Sequence, residues 1–259
     1  MSKIEAVCRS NCGKVRLKNQ DNFLFCGQMR ESDNVDPVHL PSKGSERIDR
    51  KKEYRLVGVF DGMGGAARGE KASEIAAAHF MSIDPHEFPR DEDWFTDQNQ
   101  SANVLVQDFS DEIGMESGTT SVLMYFRRNR VFVSNVGDSR AYQWRKGTLN
   151  QLSKDHSDIQ TLQELNITNR NPRLFQYLGL SDRMKVKPET NIFKLKSGDY
   201  YLCCSDGLYS MISENEISKI LSNSKTALSI KADILMDTAL ENGGKDNITF
   251  ILCYVKSVL

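Results

Sequence analysis

Four aspartates stand where an apolar run meets a tight polar turn: Asp61 in Phe60-Asp61-Gly62, Asp138 in Gly137-Asp138-Ser139, Asp206 in Ser205-Asp206-Gly207, and Asp246 in Lys245-Asp246-Asn247. Taken singly, each is an ordinary turn or helix cap. Together they ask for another reading. In antiparallel sheets neighbouring strands run in opposite directions, so the end of one and the start of the next share a rim, and these carboxylates can converge there. Gathering them is electrostatically costly unless cations neutralise them. Oxygen ligands without imidazole or thiolate suit Mg²⁺ or Mn²⁺. Beside Asp61, the glycines at 62, 64 and 65 leave a stretch free of β-carbons. There the backbone can turn tightly or approach a small charged ligand.

The elements that must position these residues follow from periodicity. An apolar run from Tyr54 to Phe60 predicts a buried strand ending at Asp61, and Ala72, Ile75, Ala76, His79 and Phe80 predict an amphipathic helix over 69–83 with a narrow small-residue face. His79 belongs to the core edge of that helix. Residues 83–97, with Pro85 and Pro89, predict a break, and 98–114 a second helix ended by Gly114. Short β-rich runs at 118–125, 130–136, 139–144 and 149–152 predict an antiparallel meander. Strands at 191–195, 200–204 and 248–254 and helices at 214–221 and 225–240 complete the pattern, with a weak strand at 4–12. Polar residues 27–52 predict a loop or loose hairpin, and 154–185 an excursion anchored by the apolar stretch 174–180, either a flap over a site or a surface helix. No repeat or linker interrupts the chain, so one domain over 1–259 is expected.

Composition narrows the class. The chain carries a net charge of -1, with 39% hydrophobic and 27% charged residues. That describes an ordinary globular protein without a dedicated nucleic-acid surface. No apolar stretch approaches the length of a membrane span, and the start lacks a signal-peptide pattern; a cytoplasmic protein is expected. Six cysteines show no paired C-x-x-C spacing, and with four histidines a thiolate-imidazole metal site is disfavoured; all six are read as reduced.

With these residues in place, the chain resembles the metal-dependent serine/threonine protein phosphatases of the type 2C (PPM) family, closest to the compact bacterial members. The resemblance rests on Val-Arg-x-x-Asn-Gln-Asp (15–21), Phe-Asp-Gly-Met-Gly-Gly (60–65), Gly-Thr-Thr (118–120), Val-Gly-Asp-Ser-Arg (136–140), Lys-Asp-His-Ser (154–157), Tyr-Leu-Gly (177–179), Ser-Asp-Gly-Leu (205–208) and Lys-Asp-Asn-Ile-Thr (245–249), all in family order. It implies an α+β, four-layer αββα sandwich: two stacked antiparallel sheets flanked by helices, with the metal site at one end. It further implies that Asp61 bridges two Mn²⁺ or Mg²⁺ ions, with the Gly62 carbonyl on one of them. Asp206 and Asp246 would bind the first ion, Asp21 would act through a metal-bound water, and Asp138 would hold a third, weaker ion. Arg16 would grip the substrate phosphate, which a water bridging the two metals attacks directly.

The implied function is hydrolysis of phosphoserine and phosphothreonine in phosphorylated proteins, opposing a bacterial Ser/Thr kinase, by a monomer that needs neither nucleic acid nor membrane. Gln20 replaces the family's usual glutamate, and Met63 and Ala66 stand where relatives carry histidines, so the resemblance assigns no acid to the leaving group. Two alternatives share the fold: a catalytically weak phosphoprotein-binding signalling module, and a phosphatase dedicated to one regulatory protein, as in sigma-factor control.

Overall fold

The computed structural model describes residues 2–31, 38–40, 45–64, 68–88, 91–165, 167, 172–181 and 185–258. Its strands, in chain order, are β1 (Lys3–Asn11), β2 (Asp21–Leu24), β3 (Val38–Leu40), β4 (Glu46–Arg47), β5 (Leu56–Met63), β6 (Gly118–Thr119), β7 (Ser121–Arg127), β8 (Arg130–Val136), β9 (Arg140–Arg145), β10 (Thr148–Gln151), β11 (Glu189–Lys194), β12 (Tyr200–Cys204) and β13 (Ile248–Ser257). The helices are α1 (Gly69–Ser82), α2 (Asp93–Ile113), α3 (Ile159–Glu164), α4 (Asp206–Tyr209), α5 (Glu214–Ser222) and α6 (Leu228–Glu241).

The strands form two antiparallel sheets. One runs β10-β9-β12-β13-β1-β3, with β4 also on β1; the other runs β11-β8-β7-β5-β2, with β6 on the end of β5. Alternation along the central strands decides the layers. Tyr201 and Cys203 of β12, Ile251 and Cys253 of β13, and Val122 and Met124 of β7 turn into a core shared by both sheets. Their neighbours turn outward. Leu123 and Tyr125 pack with α1 and α2, whereas Leu202, Phe250 and Leu252 pack with α5 and α6. Helix, sheet, sheet and helix therefore stack as the four expected layers.

The cysteines are all free, and five of them, including Cys203, Cys204 and Cys253, are buried. They serve as small hydrophobes. His79 is half-buried, its Nε2 3.1 Å from Gln98 Oε1, and burial holds its pKa below the usual value.

Several expectations shift. The strand expected to stop at Asp61 continues to Met63, because Asp21 pairs with Asp61 on one side and Thr119 with Gly62 on the other. Helix α2 begins at Asp93, inside the expected break, since Phe95 is fully buried with its ring 6.2 Å from that of Phe132. The polar segment 27–52 contributes β3 and β4 to the edge of β1. The 154–185 excursion holds only the short α3 among its described residues, and its apolar anchor is firmly placed: Leu178 and Leu180 are buried, and the Leu178 backbone exchanges hydrogen bonds with Thr119. Gly65 and Ala66 lie outside the described residues.

Candidate metal centre

Five aspartates and one arginine meet at one end of the sandwich. Asp21 opens β2 and faces Asp61 directly across the β2–β5 ladder. Two carboxylates thus share one cross-strand pair, an arrangement that repels without a cation. The other sheet brings the rest. Asp206 follows β12 as the first residue of α4, and Asp246 precedes β13, the neighbouring strand. Asp138 sits in the turn from β8 to β9, where the chain passes from one sheet to the other.

Close backbone packing permits the approach. A β-carbon on Gly62 would stand 2.1 Å from the Gly69 carbonyl oxygen and 2.5 Å from that of Gln20; one on Gly207 would stand 2.0 Å from the Asn247 carbonyl oxygen. Glycine is obligatory at both Asp-Gly turns for want of space, since neither backbone adopts positive φ.

Hydrogen bonds lock the carboxylates' backbones. The Asp61 N–H donates to Thr120 Oγ1 (2.9 Å), the Thr120 N–H donates back to the Asp61 carbonyl (2.9 Å), and Thr120 Oγ1 shares a 2.6 Å bond with Ser139 Oγ next to Asp138. The Tyr209 hydroxyl donates to the Asp138 carbonyl at 3.0 Å, its ring lying 3.8 Å beneath the Arg140 guanidinium. Ser205 Oγ donates to Asp21 Oδ2 at 2.7 Å. Asp21 is fully buried, and its other oxygen, Oδ1, has no partner among the described residues. An orphaned buried carboxylate oxygen is expensive, and a cation or its water shell would satisfy it.

The electrostatics point the same way. Burial first, then repulsion from Asp21, Asp206, Asp138 and Asp246, holds the Asp61 carboxyl well above the usual carboxylate range. Burial raises Asp21 to about 7 against the hydrogen bonds from Ser205 and Thr249, with Asp206 and Asp246 adding to the rise. Asp138 is raised to about 7 by burial, then by Asp206 and Asp155. Asp206 reaches about 6 through burial and Asp246, tempered by a hydrogen bond with Asp61 and by Arg16. Among the described residues no three acidic, histidine or cysteine side chains close tightly enough on one point to enclose an ion unaided. Carboxylates spread along a rim suit hard divalent ions that keep much of their own water.

Arg16 projects from the β1–β2 loop and pairs through Nη2 with Asp246 Oδ2 at 2.6 Å. Its side chain is 53% exposed and that of Asp246 33%. So open a pair contributes only about 0–1 kcal/mol, and a competing anion can displace it. The loop itself is pinned. Asn247 Nδ2 donates to the carbonyls of Cys12 and Lys18, and its Oδ1 accepts from the Gln20 N–H. Behind Asp21, the buried Arg30 donates to the Asp21 and Asn19 carbonyls. Sequence reasoning did not single out Ser205, Asn247, Thr120, Ser139 or Arg30 for a role. Polar side chains bordering Asp-Gly and Asp-Asn turns were the available signal for the first two; Arg30 carries none.

Comparison with known proteins bears on this centre. The family profile described as protein phosphatase 2C matches residues 18–166. The serine/threonine phosphatase Stp of Listeria welshimeri is 31% identical over 267 residues, covering 96% of this chain and 95% of its own. The serine/threonine protein phosphatase PstP of Mycobacterium tuberculosis is 34% identical over 211 residues, 78% of this chain and 40% of PstP. Among solved structures, the catalytic domain of the serine/threonine protein phosphatase PstP in complex with two manganese ions superposes with a TM-score of 0.76 at 28% identity, covering 98% of this chain and 99% of that one. A profile match over more than half of the sequence and relatives aligned along nearly all of it establish that this chain belongs to the protein phosphatase 2C family.

Proposed function

We propose that the chain is a metal-dependent protein phosphatase hydrolysing phosphoserine and phosphothreonine, and that residues 1–259 form one monomeric, cytoplasmic catalytic domain opposing a Ser/Thr kinase. The observation that carries the reading is the rim itself: carboxylates with raised proton affinities beside a displaceable arginine. Asp61, Asp206, Asp246 and the Gly62 carbonyl would hold two Mn²⁺ or Mg²⁺ ions, with Asp21 supporting them through a water and Asp138 holding a third. When bound, such ions neutralise the substrate phosphate and activate the attacking water.

The chain's own residues do the rest. Arg16 exchanges Asp246 for the phosphate, offering the planar, permanently charged fork that suits phosphoryl oxygens. Thr120 and Ser139 keep Asp61 and the Asp138 turn in register, and Ser205 fixes one oxygen of Asp21, leaving the other without a protein partner among the described residues. A phosphoprotein-binding module without turnover would leave these mutually repelling carboxylates unexplained. The test is hydrolysis of para-nitrophenyl phosphate and of a phosphothreonine peptide with Mn²⁺, with Mg²⁺ and with EDTA. Release of phosphate with metal and none with EDTA is expected. Folded protein that turns over neither substrate with either metal would overturn the reading.

A further inference from the structure

The loop that carries Arg16 presents more than the arginine. Residues 14–18, Lys-Val-Arg-Leu-Lys, lie between β1 and β2 and are all exposed, Val15 at 63% and Leu17 at 96%. A single exposed apolar side chain is commonplace. These two flank the side chain that grips phosphate in the proposed function, and the backbone beneath them is held in place. The Lys14 N–H donates to the Gly244 carbonyl at 2.7 Å, the Gly13 N–H to Asn11 Oδ1 at 2.8 Å, and the Cys12 thiol to the Arg16 carbonyl at 3.1 Å. Gly13, at φ +79°, packs so closely on the Asp246 turn that a β-carbon there would stand 2.2 Å from the Asp246 carbonyl oxygen. A loop already fixed by the fold can read a partner without ordering its own backbone on binding.

Charge sets what such a loop reads. On the Asp246 side, the Lys14 stem lies against Gly244, next to Lys245, and among the described residues neither lysine has a carboxylate partner. On the α1 side, Lys18 Nζ and Arg68 Nε share the one carboxylate of Glu70, at 3.4 and 3.7 Å, so two cations meet a single negative charge. The whole chain carries a net charge of -1, yet the border of the phosphate-gripping loop holds a local surplus of cations. Exposed cations beside exposed apolar side chains complement a segment that is both acidic and apolar.

We propose that residues 14–18, with Lys245 and Arg68, form a lip that selects substrates for the acidic rim: phosphoserine or phosphothreonine segments with an apolar residue beside the phosphoresidue, seated on Val15 and Leu17, and with aspartate or glutamate further out, met by Lys14, Lys18 and Lys245. The lip serves the phosphatase centre proposed above and so rests on that reading.

Three peptides of equal length, each bearing a non-hydrolysable phosphonate analogue of phosphothreonine and a fluorescein label, separate the contributions. One is flanked by leucine and glutamates, one by leucine and lysines, one by serine and glutamates. Binding to the Mn²⁺-loaded protein is followed by fluorescence anisotropy, and turnover of para-nitrophenyl phosphate, which has no flanking residues, is the control. The leucine-glutamate peptide should bind about threefold to tenfold more tightly than either of the others. Leu17→Ser should abolish the advantage of leucine over serine. Lys14→Glu combined with Lys245→Glu should invert the preference for glutamate over lysine, a reversal that mere loosening of the loop would not produce. Turnover of para-nitrophenyl phosphate should stay unchanged in both variants. The glutamate preference should also shrink as salt rises, because exposed charges are screened. Equal affinity for the three peptides, or variants that weaken all three alike, would overturn the proposal. Anisotropy reads the lip even in a protein without turnover, whereas a parent protein inactive on para-nitrophenyl phosphate that still ranks the peptides in this order would count against the phosphatase reading alone.

Discussion

At the scale of single residues, the acidic rim makes an unusual demand: in the absence of metal its carboxylates work against the fold. Asp206, raised to about 6 by burial and Asp246, is deprotonated at neutral pH only at a cost. Asp206→Asn removes that charge without changing shape. In EDTA at about pH 7.5 the variant should be more stable than the parent by on the order of 1–3 kcal/mol. It should also lose phosphatase turnover and the stabilisation that Mn²⁺ confers. Thermal unfolding with and without Mn²⁺, alongside a turnover assay, reads both. A variant less stable than the parent in EDTA would mean that the carboxylate is compensated by the protein itself. Asp61, Asp138, Asp206 and Asp246 were legible in sequence because a carboxylate where a β-rich run meets a glycine-containing turn is a local pattern, whereas the role of Asp21 came only with the family resemblance. Their supports were not. Arg30 reaches the Asp21 carbonyl from nine positions away around the β2 turn, with no motif to announce it, and Ser205 reaches the Asp21 carboxylate from 184, a contact that exists only after the two sheets stack.

At the scale of elements, sequence periodicity located most strands and helices, and the misreadings have tertiary causes. Strand β1 looks weak because Arg9 interrupts it, yet it is an inner strand paired with β13 along its whole length: Arg9 is 3% exposed and ion-paired to Asp233 at 2.8 Å. Strand β5 outlasts the aspartate expected to end it because β2 and β6 pair with its last residues, and this extension presses Gly62 against Gly69 of α1. The consequence is measurable. Gly62→Ala forces a β-carbon into two backbone oxygens with no flexible side chain to yield, at a cost of about 3 kcal/mol or more. Gly114, the left-handed C-cap of α2, has no atom within 4 Å of an added β-carbon. Gly114→Ala should cost only the conformational term, about 1 kcal/mol. Urea unfolding of the two variants compares them directly; equal losses would show that the β5–α1 contact relaxes freely.

At the scale of the whole molecule, the rim couples stability to pH and metal. Asp21 and Asp138 titrate near 7 and Asp206 near 6 in the folded chain, all raised from the ordinary 3.8. The folded state therefore binds more protons than the unfolded one between these values, and stability falls as pH rises through that window. This is the reverse of the usual acid denaturation, in which paired carboxylates lose stability as they are protonated. In EDTA, the melting midpoint should fall by about 5–10 °C between about pH 5 and pH 8. Mn²⁺ should restore it, with a larger gain at the upper pH because protons no longer compete for the same oxygens. The melt should be one transition, since a single inter-sheet core joins β1, β12 and β13 to β5, β7 and β8. Calorimetry across that range, with and without Mn²⁺, checks both statements. A midpoint that climbs with pH in EDTA would place the compensating charge in the protein and remove the electrostatic reason for a metal. A falling midpoint that Mn²⁺ reverses would tie the cost of assembling the rim to the ions that make it useful.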